Sequence, residues 1–144
     1  DAPGTDGLVG IVQSRGVRVL LAHPERCASF LADRDLLERL VGAGCTAQVT
    51  AGALVGAFGR TVQAAARRYV EQGLVHVVAS DAHDADRRPP GLAGPLAEAG
   101  FGELAPWLTA DVPRALVSGD ELPERPVVSL PPPPRRGLFR RRRA

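Results

Sequence analysis

Residues 73–90 read "GLVHVVASDAHDADRRPP", and the fold turns on how the first half of that stretch is taken. "LVHVVA" (74–79) is a continuous apolar run of strand length, with Gly73 before it and a polar cluster after it. Such a run suits a strand buried on both faces of a parallel sheet better than a strand with one wet face. Working back, "RTVQAAARRYVEQG" (60–73) is a helix closing on Gly73, and "CTAQVT" (45–50) is another strand. "DRDLLERLVGAG" (33–44) puts Leu36, Leu37, Leu40 and Val41 at helical spacing with Asp33 as N-cap, and "VRVLLA" (17–22) is a further strand. Working forward, helical pieces are expected at about 92–99 and, with Pro113 in a first turn, to about 118. Short strands alternating with amphipathic helices give an α/β fold on a parallel sheet, without choosing between an open sheet and a barrel. Residues 1–122 form the expected body, and 123–144 a proline-rich linker and an arginine-rich tail.

Composition narrows the function classes. The chain has 144 residues, 44% of them hydrophobic, which is enough for one core, and no apolar run has the length of a membrane span. All 18 basic residues are arginine. Residues 1–130 hold 12 of them against 16 acids, a formal charge of −4, and the last 14 residues add six more arginines. An acidic body without an aromatic stacking platform argues against nucleic acid as a partner. The tail "PPPPRRGLFRRRR" could lie on anionic lipid at about 1 kcal/mol per arginine near the surface, although a solvated end is the plainer reading. Two isolated cysteines give no disulfide framework, and no secretory signal pattern is present, so a cytoplasmic location is expected. The absence of methionine and the aspartate at position 1 lead us to expect a fragment.

Two polar clusters follow strands directly: "HPER" (23–26) after the first and "SDAHDADRR" (80–88) after the third. The carboxyl ends of parallel strands are where ligand and catalytic groups gather, so both clusters lie at one end of the sheet. His23, Asp81 and His83 are imidazole and carboxylate donors of the kind that hold Mn, Fe or Zn. In an extended D-x-H segment the carboxylate and the imidazole point the same way and can reach one ion. Such an ion lowers the pKa of bound water to about 7 and makes hydroxide available for hydrolysis. Arg26, Arg87 and Arg88 are planar donors suited to phosphate. A lone D-x-H is often only a surface feature, and its coincidence with "HPER" at the same sheet end carries the metal reading. Glu25 is either a further ligand or the partner of Arg26, and His76, on the other face from Val77, Ala79 and Asp81, is structural. Cysteine-based phosphatase chemistry needs an arginine six residues after the nucleophile; Cys27 finds Asp33 there and Cys45 finds Ala51, which leaves both as packing residues. Neither a P-loop nor a dinucleotide fingerprint occurs.

Taken together, "LLAHPERC" (20–27), "QVTAGALVGAFG" (48–59), "GLVHVVASDAHDADRRPP" (73–90) and "VPRALVSGDELP" (112–123) resemble the carboxyl-terminal half of a bacterial family. That family is the manganese-dependent protein-tyrosine phosphatases of the PHP superfamily, the type associated with capsular and exopolysaccharide synthesis. The resemblance implies part of a distorted (β/α)7 barrel carrying a multinuclear metal cluster. It implies His23, Asp81 and His83 as metal ligands and Arg26 and Arg88 as phosphate-contacting catalytic arginines. The implied cofactor is Mn2+, with Fe or Zn as alternatives, and the implied partner is a phosphotyrosine protein, a bacterial tyrosine kinase. The family's opening H-x-H motif is absent, so the ligand set is incomplete and the chain alone is expected to fall short of a competent enzyme. Two alternatives stand beside this reading: another PHP phosphoesterase, such as a histidinol-phosphate phosphatase, and a non-catalytic fragment acting through its basic tail.

Overall fold

A computed structural model describes residues 4–84 and 90–129. Three strands, β1 (Leu20–Ala22), β2 (Thr46–Thr50) and β3 (Val77–Ala79), make one parallel sheet in the order β1-β2-β3. Leu20 lies opposite Thr46, and Gln48 opposite Val77. Both connections are helical, as parallel pairing requires. The first comprises a 3₁₀ turn (Pro24–Arg26), α2 (Ala28–Ala32) and α3 (Leu36–Gly42), and the second α4 (Ala51–Leu54) and α5 (Arg60–Glu71). The parallel α/β architecture read from the apolar runs is therefore present. Its outer strands are shorter than the runs because the strands begin late: residues 17–19 and 74–76 lead in from Gly16 and Gly73, both at positive φ.

The central strand shows why the sheet forms where it does. Ala47 and Val49 are fully buried, and the polar Thr46 and Thr50 are buried with them. The Thr46 hydroxyl donates to the Val19 carbonyl, which satisfies one buried polar group within the sheet. On α5 the buried positions Ala65, Ala66, Tyr69 and Val70 form one stripe, and the arginines fall largely outside it. Tyr69 ties this helix to α2 by donating its hydroxyl proton to the Phe30 carbonyl at 3.2 Å.

Four local features differ from expectation. Asp33 does not cap α3; it accepts the Asp35 amide and pairs with Arg39 at 2.7 Å, and the helix begins three residues later. An unforeseen helix, α1 (Thr5–Gln13), precedes β1 with only Val9 buried, so its apolar face is too weak to read. Leu8, Ile11, Val12, Val17 and Leu20 remain exposed near β1, an outer strand of the sheet. After α6 (Ala93–Glu98), the last helix starts before Pro113: a π turn (Trp107–Asp111) runs straight into α7 (Val112–Ser118). Proline lacks the N–H that an unbroken α-helix would use there, and a wider turn just upstream accommodates that gap. Finally, the irregular segment after Pro123 stays on the body. Trp107 Nε1 donates to the Pro123 carbonyl, Arg125 donates to the Val70 carbonyl, and Leu122 and Val128 pack on the core. The arginine tail and its expected lipid contact lie outside the described residues. Among the described residues, no helix is long and apolar enough to cross a membrane.

Candidate metal centre

The carboxyl end of β1 is held by its neighbour. The His23 amide donates to the Gln48 carbonyl at 3.0 Å, which extends the β1–β2 pairing one residue past the strand. His23 itself takes a left-handed conformation (φ 41°, ψ 53°) before Pro24 opens the 3₁₀ turn. A non-glycine residue in that region costs on the order of 1–3 kcal/mol and persists only where its surroundings impose it. Its ring nitrogen Nδ1 is buried and has no hydrogen-bond partner among the described residues. Buried polar atoms are nearly always satisfied, so an orphaned imidazole nitrogen at a strand end marks a place where a ligand fits.

Two residues on, Glu25 is wholly buried. Its Oε1 accepts the Thr50 amide at 2.9 Å, joining the turn after β1 to the end of β2. Burial pushes its carboxyl pKa up, against the lowering influence of the Thr50 amide and of His23. Of the two readings of Glu25, the pairing with Arg26 is not made. Arg26 turns to Asp81 instead, with Nη1 2.9 Å from Oδ2, and its guanidinium lies 4.4 Å from the centre of the Phe58 ring. The loop 55–59 thereby supports the site with an aromatic face that no spacing argument singled out.

Asp81 is the second non-glycine residue at positive φ (51°), two residues past β3. The segment is therefore not extended at Asp81, and the alternation argument for D-x-H fails in its geometry. The two groups meet by another route: the His83 ring folds back so that Nδ1 lies 2.7 Å from the Asp81 carbonyl and 4.0 Å from Oδ1. Arg87 and Arg88 lie outside the described residues. Cys45 is buried, and burial raises its thiol pKa, whereas Cys27 is exposed and is not the packing residue expected. His76 has the structural role read for it. Its Nδ1 accepts the Ala47 amide, its ring lies beside Trp107, and burial lowers its pKa.

The donors thus fit part of a metal site. Imidazole and carboxylate from β1 and β3 stand at one edge of the sheet, and His23 brings an unsatisfied buried nitrogen. No group of three or more His, Cys, Asp or Glu side chains gathers closely enough among the described residues to hold an ion unaided.

A parallel sheet with such donors along its carboxyl edge defines an α/β chain whose candidate site gathers imidazole, carboxylate and guanidinium groups at the strand ends. The model of the capsular polysaccharide synthesis family CpsB/CapC matches residues 6–99, and the chain belongs to that family. The tyrosine-protein phosphatase YwqE of Bacillus subtilis is 35% identical over 132 residues, which cover 89% of this chain and 50% of YwqE. The tyrosine-protein phosphatase CpsB of Streptococcus agalactiae serotype III is 32% identical over 83 residues, 54% of this chain and 34% of CpsB. A chain from the crystal structures of YwqE from Bacillus subtilis and CpsB from Streptococcus pneumoniae, described as unique metal-dependent tyrosine phosphatases, superposes with a TM-score of 0.70. It is 32% identical, and the match covers 90% of this chain and 55% of that one. The chain spans half or less of the length of these curated relatives.

Proposed function

We propose that this chain is the carboxyl-terminal part of a metal-dependent phosphotyrosine-protein phosphatase that regulates capsular or exopolysaccharide synthesis. His23, Asp81 and His83 are its metal ligands in this reading, and Arg26 and Arg88 contact the phosphate. The observation that carries it is the buried, partnerless Nδ1 of His23, held in a left-handed conformation at the same sheet edge as Asp81. The relatives, each a tyrosine-protein phosphatase and one pair described as metal-dependent, support the reaction class. They give no support to the histidinol-phosphate alternative.

A bound divalent cation, Mn2+ in this reading, supplies Lewis acidity and lowers the pKa of water to about 7. The chain's own residues orient and anchor. Glu25 braces the His23 turn against β2, Phe58 carries the Arg26 guanidinium, and Asp81 holds that guanidinium beside the His83 ring. An arginine so placed offers the planar donors that match a phosphoryl group. The remaining strands of a distorted (β/α)7 barrel belong to the same proposal, with residues 1–122 as its carboxyl-terminal part and the segment from Pro123 to Val128 packed back on that body. The partner is a phosphotyrosine protein, a bacterial tyrosine kinase, met in the cytoplasm.

Mn2+ titration of the chain followed by electron paramagnetic resonance tests the ligands. Binding is expected to weaken at least tenfold in His23→Ala and in His83→Ala, because each removes a donor. Binding unchanged in both variants would overturn the site. The substrate class is read, on the intact phosphatase of which this chain is proposed to be a part, from the ratio of turnover of a phosphotyrosyl peptide to that of histidinol phosphate with excess Mn2+; equal rates would count against phosphotyrosine.

A further inference from the structure

A hollow of about 380 Å³ lies between α2 and α5. Arg34, Arg60 and Arg68 line it, with Thr61 at its wall and Leu31 and Ala65 among its apolar lining. Three guanidiniums around one concavity repel one another unless an anion lies between them.

Among the described residues, none of the three makes an ion pair within 4 Å. Arg34 stands between two acids in sequence, but the Asp33 carboxylate pairs with Arg39 at 2.7 Å, and Asp35 also acts on Arg39. Arg60 is the first residue of α5, where the helix dipole is already positive, and the first turn holds no acid and no capping side chain. Arg68 lies over the Tyr69 ring, its guanidinium carbon 5.0 Å from the centroid. Other arginines are committed elsewhere: Arg67 to the Ala99 carbonyl and Arg125 to the Val70 carbonyl.

The hollow is also adjacent to the candidate site. Phe58, on which Arg26 stacks, stands two residues before Arg60, and α5 packs against the Pro24–Arg26 turn. In a β-α-β crossover, α5 begins at the carboxyl edge of the sheet and runs back along it, so the arginines lead away from that edge.

We propose that Arg34, Arg60 and Arg68 form a second anion site that takes acidic groups, carboxylate or phosphoryl, on the polypeptide segment flanking the phosphotyrosine. The assignment of that polypeptide as the phosphatase substrate rests on the function proposed above; the anion site itself does not. Guanidinium forks match both oxyanions, and none of the residues lining the hollow is a candidate metal donor.

The test is fluorescence polarisation of labelled peptides on the full chain without added metal. The six tail arginines are replaced by serine in every sample, so that the tail cannot mimic the effect. A phosphotyrosyl peptide flanked by glutamates is expected to bind roughly tenfold more weakly to Arg34→Gln/Arg60→Gln than to the parent. A serine-flanked phosphotyrosyl peptide is expected to show no such difference. Inorganic phosphate and a phosphoserine-flanked peptide, used as competitors, separate a preference for phosphoryl from one for carboxylate. Arg34→Glu is a second variant and should shift preference towards a lysine-flanked peptide. An Arg15→Ser/Arg114→Ser control changes the charge equally, away from the hollow. The proposal fails if the control weakens glutamate-flanked binding as much as the hollow variant does, or if the hollow variant binds unchanged. His83→Ala, which tests the metal site, should leave this binding intact, so the two readings fail separately.

Discussion

Replacement of Glu25 by alanine and by glutamine should have sharply different consequences. The side chain is wholly buried, accepts the Thr50 amide through Oε1 and leaves Oε2 without a partner among the described residues. In Glu25→Ala the Thr50 N–H loses its acceptor in the interior, which costs about 1–3 kcal/mol. The vacated volume adds about 1 kcal/mol more where the surroundings do not collapse, so we expect a loss of about 2–4 kcal/mol. In Glu25→Gln the acceptor is retained and the charge is removed from a site whose burial already disfavours it. The amide nitrogen would occupy a position that has no partner now, so this variant should stay within about 1 kcal/mol of the parent or exceed it. The assay is urea unfolding in EDTA, followed through Trp107, the single tryptophan, which is buried. For Glu25→Ala the midpoint should fall by about 1–2 M at unchanged slope. If glutamine destabilises as much as alanine, the fold requires the charge itself, and the desolvation argument is wrong.

Other outcomes follow from single contacts. Burial lowers the His76 pKa below its ordinary 6.5, so between these two values the unfolded chain binds the extra proton. The stability from neutral His76 is thus fully present above 6.5 and is lost as pH falls through that window; the midpoint of His76→Gln should lack this part of the decline. Tyr69→Phe, which removes the bond to the Phe30 carbonyl, should cost about 1 kcal/mol in the same unfolding assay. Gly73 has φ +77°, and a Cβ there would come within 2.8 Å of Arg125 Nη1. Gly73→Ala should therefore cost about 1–2 kcal/mol from the backbone alone. Combined with Arg125→Ala it should lose less than the sum of the two single changes, because they share a contact.

Much of the sheet was legible because its strands are largely buried, which makes "LVHVVA" a nearly continuous apolar run and fills "CTAQVT" with small and β-branched residues. α1 was not legible, since Val9 is its only buried residue and its remaining apolar side chains face outward. In the site, residue type and position after a strand singled out His23, Asp81 and His83. The contacts were not accessible that way. The extended geometry assumed for D-x-H gives way to a left-handed Asp81, and Arg26 reaches across to it, 55 positions along the chain, rather than to the adjacent Glu25.

Local chemistry in the sequence thus determined which residues form strands and helices, which imidazoles and carboxylates stand at strand ends, and which chemistry the cysteines cannot perform. Such features depend on side-chain periodicity and on neighbours within a few positions. Tertiary structure alone decided that Glu25 is a buried brace, that Phe58 carries Arg26, that the segment after Pro123 stays on the body, and that three arginines share one hollow. Each of those depends on groups brought together from separate elements. Burial and charge balance there are properties of the packed chain rather than of any stretch within it.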